Sequence, residues 1–232
     1  MRKKFWIPLS VVAVIGMIVA YVVSTPTGSR TQSKSTVARS CLYNIGLAMV
    51  QEAERHGGRF FSAIYDKDGK PLLSWRVKVL PFLEANELYR QFHLNEPWDS
   101  EHNKTLIEKM PTVYKNPLSG NLHGKTVYQV PTGKETIFFD TNGTSLEQIT
   151  DGAASTILLV ETDTEHAVPW TKPEDITIDP RDPAARLQRW GGSFLAVFAS
   201  GLVRPLSDDT DPATLWSYFT RAGGEEMSEP GS

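Results

Sequence analysis

An uncharged, largely apolar run over residues 5–23 constrains this chain more than any other feature. It follows Met1-Arg2-Lys3-Lys4 and holds no Asp, Glu, Lys or Arg. Nineteen helical residues at ~1.5 Å each reach ~28 Å, close to the ~30 Å hydrocarbon core of a bilayer. Trp6 and Tyr21 stand near its two ends, where interfacial aromatics sit, and Pro8 falls in the first turns. No polar stripe crosses the run, so it is read as a membrane helix and not as a helix of a soluble core. A secretory signal has a shorter apolar region of ~7–15 residues, which favours an uncut anchor. Small residues at Ala20, Ser24 and Thr25 leave secretion after signal cleavage as the alternative. Three cations before the run favour a cytoplasmic N-terminus, although Arg30, Lys34 and Arg39 follow it. The expected layout is a cytoplasmic tail (1–4), a transmembrane helix (5–23), a flexible tether (24–35), a single extracytoplasmic domain (36–224) and a disordered tail (225–232).

Bulk chemistry narrows the function classes. A net charge of −3 with an isoelectric point near 6.0 gives no basic face, so no nucleic-acid partner is expected. Cys41 is the only cysteine, which rules out an intrachain disulfide and a thiolate metal cluster; a small buried side chain on a helix is its expected role.

Beyond the tether, Val37, Cys41, Leu42, Ile45, Met49 and Ala53 recur at helical spacing, and Gly57-Gly58 stops them. Asp66-Lys67-Asp68-Gly69-Lys70-Pro71 is a turn by composition. Pro81 divides the apolar pattern over 74–93 into two short helices, and Asp99 or Ser100 caps a further helix through Met110. The second half changes period. Strands are expected over 126–130, 136–139 and 155–161, and a hairpin over 194–199 and 202–206 turns at Ser200-Gly201. Pro205 makes the second arm of that hairpin an edge, and Asp211-Pro212 opens a helix that ends at Gly223-Gly224.

Four stretches together resemble a known family. They are Ile45-Gly46-Leu47-Ala48; Leu73-Ser74-Trp75-Arg76-Val77 with Leu80-Pro81-Phe82-Leu83-Glu84; Glu96-Pro97-Trp98-Asp99-Ser100 with His102-Asn103-Lys104; and Ile149-Thr150-Asp151-Gly152 with Ser155-Thr156-Ile157-Leu158. The chain resembles the prepilin-like domain of unknown function 1559, abundant in planctomycete bacteria. The resemblance implies an α+β, pilin-like fold, with a long N-terminal helix, membranous then amphipathic, packed on an antiparallel sheet with small inserted helices. It also defines three departures. No glutamate lies within residues 5–23, where the family often carries a prepilin peptidase site. Trp190 stands for the family's C-terminal histidine, with Ser200-Gly201 for its Asp-Gly. Phe60-Phe61 replaces its Phe-Pro.

No catalytic set is legible. The five histidines are scattered, and Gly191-Gly192-Ser193 precedes a strand instead of opening a helix. A hydrolase is therefore the least favoured reading, and no cofactor is expected. Glu161, Asp163 and Glu165 would share one side of an extended segment, with His166 on the other, as a weak candidate site for a hard cation. A solvated loop is the plainer reading of those residues. Of the five tryptophans after the tether, most are expected in the core; Trp98 and Trp170 are the candidates for exposure and for ligand or partner contact. The leading expectation is a membrane-anchored, non-enzymatic interaction module of pilin-like type with an unidentified protein partner. The alternative is a module binding a small ligand, glycan or calcium.

Overall fold

A computed structural model describes residues 27–224, with side chains described from residue 34 onward. The apolar run 5–23, the tail 1–4 and the acidic segment 225–232 lie outside the described residues. Helix α1 (Thr27–Arg55) leads the described chain. It buries Ala38, Cys41, Leu42, Ile45, Ala48, Met49 and Ala53 along one face, the stripe that the spacing predicts. Gly57 and Gly58, both at positive φ, end it, and the Gly58 N–H returns to the Ala53 carbonyl.

Strands β1 (Ala63–Tyr65) and β2 (Pro71–Ser74) form a hairpin. Its turn is held by Asp66, whose Oδ1 accepts from the Asp68 and Lys70 N–H groups. Helix α2 (Trp75–Lys78) follows directly, capped by Ser74, and Pro81 sits in the separate 3₁₀ turn Leu80–Leu83. One more helical turn, Asn86–Tyr89, completes this layer of small inserted helices.

The central sheet contains β3 (Tyr128–Gln129), β4 (Ile157–Glu161), β5 (Ser193–Phe198) and β6 (Val203–Ser207), in the order β6-β5-β4-β3 and antiparallel throughout. Pro205 lies on the edge strand β6, as expected of a residue that cannot donate. Both faces are covered. Leu159 and Val197 point into the core with α1, while Val160, Ala196 and Phe198 pack with Leu215 and Phe219 near helix α3 (Pro212–Ser217). That double burial explains why β4 reads as a continuous apolar run without alternation. The fold is α+β.

Four sequence expectations are corrected. The helix begins at Thr27, so most of the expected tether is helical; once a helix is nucleated, adding Ser, Thr and Gly residues costs little each. Residues 136–139 form no strand among the described elements, because Thr136 turns back and both its N–H and its hydroxyl bond the Gly133 carbonyl. The helix expected from Asp99 or Ser100 is a shorter 3₁₀ segment, Asn103–Lys109. Helix α3 stops at Ser217, well before Gly223-Gly224. There the Arg221 N–H leaves to pair with the Glu135 carbonyl.

α1 approaches the sheet closely at Gly46, where an added Cβ would lie 2.5 Å from Val197 Cγ1. In an exposed helix Gly→Ala gains ~1 kcal/mol. Here Gly46→Ala is expected to destabilise by about 1–3 kcal/mol, because Val197 is β-branched and cannot rotate away. Urea unfolding checks this, and adding Val197→Ala is expected to recover part of the loss. A neutral or stabilising Gly46→Ala refutes the close-packing account.

Candidate functional site

The positions of the signature residues decide what they can do. Arg76 is fully buried at the start of α2. Its Nε and Nη2 donate to the Tyr128 carbonyl (2.9 and 2.8 Å), Nη1 donates to Ser74 Oγ (2.8 Å), and Nη2 donates to Asp175 Oδ1 (2.6 Å). Trp75 Nε1 and the Val130 N–H converge on the same Asp175 oxygen. Burial pushes the Asp175 carboxyl up to about 6, and the pull of Arg76 and these donors opposes that, so the pair is ionised at neutral pH.

The second signature folds around Asn103, which is also fully buried. Its Oδ1 accepts from the His93 N–H, while Nδ2 faces the carbonyls of His93, Glu96 and Pro97 at 2.9–3.2 Å. His93 and His102 stack above this knot with ring centroids 3.6 Å apart. His93 Nδ1 meets Glu96 Oε1 at 2.9 Å, and this bond lowers the Glu96 pKa. Both signatures are thus internal brackets that close loops onto the core.

Glu161, Asp163 and Glu165 do not converge. The segment stays extended only through Glu161, then Asp163 caps a 3₁₀ turn over Thr164–His166. Asp163 Oδ1 is taken by the His166 N–H (3.0 Å) and its ring Nδ1 (2.6 Å), and Glu165 is exposed. Among the described residues no group of three His, Cys, Asp or Glu side chains is placed to hold a metal ion. Trp170 is corrected as well. It is fully buried between Phe92 and Tyr114, with Nε1 donating to the Ile107 carbonyl. Its loop folds inward because the Trp170 N–H pairs with the Gly124 carbonyl. Trp98 is half-buried, with Lys172 Nζ 5.6 Å from its ring.

Three imidazoles meet carboxylates, in the pairs His56–Glu52, His93–Glu96 and His166–Asp163. Each pair is local in sequence, and none of these imidazoles is hydrogen-bonded to a hydroxyl or thiol that it could activate.

Glu161 itself is the group that sequence reasoning placed wrongly. It ends β4 opposite Tyr128 and is fully buried. Asn116 Nδ2 donates to Oε1 (2.9 Å) and Trp190 Nε1 to Oε2 (3.1 Å). No described cation pairs with it, so burial outweighs the two donors and raises its pKa to about 7. Across the strand, the Tyr128 hydroxyl is buried without a conventional hydrogen bond. The Cys41 thiol and the Glu161 carboxyl act on it, and its pKa is raised, chiefly by burial. Burial also raises Cys41. Trp190 occupies the position that the resemblance gives to a histidine, so a neutral indole donates where an imidazolium would have supplied charge. The signal available in the sequence was the strand register: a glutamate closing an otherwise apolar strand enters the core with it.

On the outer side of α1, Val37, Tyr43 and Leu47 remain 50%, 50% and 41% exposed. By helical spacing Tyr43 and Leu47 fall on the side away from the buried stripe and Val37 on its flank. Leu47 also lines a shallow groove of about 310 Å³ together with Asn44, Phe82, Leu83, Glu84 and Val113.

The Glu161 environment has a pH signature. The folded protein releases this proton near 7, and the unfolded chain near 4.5. Between those values the folded state holds more protons at this site, so the Glu161 contribution to stability is fully present below about pH 4.5, falls as pH rises towards 7, and levels off above. At ~1.4 kcal/mol per unit the loss is on the order of 3 kcal/mol. Asp175 contributes with the same sign below about pH 6. Urea unfolding between pH 6 and 7.5 is therefore expected to show a falling stability whose slope is much reduced in Glu161→Gln. An identical slope in wild type and variant refutes the buried, unpaired carboxyl.

Comparison with known proteins adds one match. Residues 39–193 match the family described as a protein of unknown function, DUF1559. No curated protein and no solved structure matches the chain. The match spans both internal brackets and all of β4, and the chain belongs to the DUF1559 family.

Proposed function

We propose that this chain is a membrane-anchored, extracytoplasmic module of pilin-like type that works through protein contacts and carries no catalysis of its own. Among the described residues no helix is long and apolar enough to cross a membrane, and the anchor is assigned to residues 5–23, which lie outside them. The observation that carries the reading is α1. It runs for 29 residues, and among its described side chains those of residues 34–37 are all exposed and burial sets in at Ala38. A helix whose described side chains are exposed for a full turn before they enter the domain, close behind an apolar run in the sequence, suits a stalk joining a bilayer to a folded body. The outward Val37, Tyr43 and Leu47 then supply apolar contact area for a neighbouring protein. Supporting this, none of the paired imidazoles is hydrogen-bonded to a hydroxyl or thiol among the described residues, and the signature residues Ser74, Arg76 and Asn103 are turned inward. Secretion after cleavage within the first 26 residues is the alternative placement of the same module.

Two measurements test the proposal. In cell fractions the intact chain is expected in the membrane, released by detergent and not by high salt. Protease added to spheroplasts is expected to remove the domain. A photo-crosslinking residue at Tyr43 or Leu47 is expected to give discrete protein adducts in membranes, with none from the exposed loop position Lys67. An uncut chain in the detergent-free soluble fraction, or adducts from Lys67 alone, rejects it.

A further inference from the structure

A second surface, away from the outer face of α1, has a different chemistry. The β1–β2 hairpin, the loop over residues 138–141 and the segment around Asp175 enclose an open cleft of about 290 Å³. That is at the small end of ligand pockets, the size for a single compact ring and too small for a folded partner. Tyr65 and Phe139 contribute half-buried aromatic surface to its wall, the Arg221 guanidinium covers one face of the Phe139 ring at 3.9 Å and leaves the other for the cleft, and Asp140 stands exposed at the rim.

Asp175 lies at the base, its side chain 3% exposed. Trp75 Nε1, Arg76 Nη2 and the Val130 N–H all end on Oδ1. No described hydrogen bond reaches Oδ2. A carboxylate oxygen that is nearly buried, borders a cleft and lacks a protein donor awaits a donor from elsewhere. The other polar groups add mainly acceptor capacity. Thr132 Oγ1 donates its proton to the Ile176 carbonyl, and Ser62 and Tyr65 share one hydrogen bond at 2.7 Å, so one hydroxyl of that pair and the exposed Thr141 hydroxyl are the side-chain donors left to the cleft. No lysine, arginine or histidine lines the cleft. Phosphate and carboxylate ligands are thereby disfavoured. Arg76 already balances the charge of Asp175, so a cationic ligand gains little beyond the exposed Asp140.

We propose that this cleft between Tyr65, Phe139, Asp140 and Asp175 is a binding site for a neutral sugar ring. Ring hydroxyls donate to Asp175 Oδ2 and Asp140, and an apolar ring face lies against Phe139 or Tyr65. This reading goes beyond the interaction module proposed above and does not depend on it.

The test uses the full chain in a detergent without a sugar headgroup. Neutral hexoses, N-acetylhexosamines and their short oligomers are titrated by calorimetry and by tryptophan fluorescence, since Trp75 donates to Asp175. A sugar phosphate and a simple alkylamine serve as the charged comparisons. Saturable binding of at least one neutral sugar is expected, weakened tenfold or more by Phe139→Ala and severalfold by Asp140→Asn. Asp140 is exposed, and asparagine keeps the acceptor for the Asn142 N–H, so that variant preserves the fold. Trp98→Ala is expected to leave binding unchanged. Absence of saturation by every neutral sugar, preference for the amine or the phosphate, or binding indifferent to both cleft variants overturns the proposal.

Discussion

The buried guanidinium of Arg76 is the tie on which the arrangement of the domain depends. It joins three parts that are distant in sequence: the end of the β1–β2 hairpin through Ser74, the central sheet through the Tyr128 carbonyl, and the loop bearing Asp175. Its own carbonyl accepts from the Tyr114 hydroxyl, which adds a fourth. A cation taken out of water is tolerated only when its donors are matched by fixed acceptors, and removing one partner of such a pair costs ~3–5 kcal/mol. Arg suits the task because its planar fork serves several acceptors at once. Lysine in its place would be a point charge and could not hold the Tyr128 carbonyl and Asp175 together.

The same tie shapes the surface. Because Arg76, Trp75 and Val130 all hold one oxygen of Asp175, its second oxygen is left at the cleft while the charge is balanced from behind. Glu161 is the contrasting case. It shares the core with Tyr128 but has no cation, only an amide and an indole as donors. One carboxylate is therefore ionised inside the fold at neutral pH, and the other sits close to its titration point. The difference lies in the donors: Arg76 brings a full charge to Asp175, whereas Trp190 and Asn116 donate hydrogen bonds to Glu161 without any.

Much of the fold was legible because it follows from local rules. The stripe of α1, its stop at Gly57-Gly58, the Asp66 turn, the edge position of Pro205 and the cap at Asp211 each need only a few adjacent residues. What was not legible depended on contacts far along the chain. Trp170 read as a loop tryptophan until Gly124 and Ile107, distant in sequence, supplied partners for its N–H groups. The acids from Glu161 to Glu165 read as one surface patch until the sheet took Glu161 inward and the turn took Asp163 aside. The cleft around Asp175 gave no sequence signal at all, since its residues come from four separate segments. Family likeness located Arg76 and Asn103 without revealing that both are interior.

That interior placement bears on function. A signature made wholly of surface nucleophiles or ligands would point to chemistry, but here Arg76 and Asn103 are buried brackets whose donors are matched within the protein, while Glu84, Asp99, His102 and Lys104 stand exposed. Such brackets fix a scaffold and leave the exposed positions free to differ. The functional differences within a scaffold of this kind belong on surfaces that the brackets hold in place and do not themselves occupy. Two such surfaces exist here: the outer side of α1, where Val37, Tyr43 and Leu47 stand exposed among polar residues, and the acceptor-rich cleft beside the hairpin. The first suits a protein neighbour and the second a small hydroxylated ligand, and Arg76 holds the hairpin and the sheet in the geometry that keeps the cleft open.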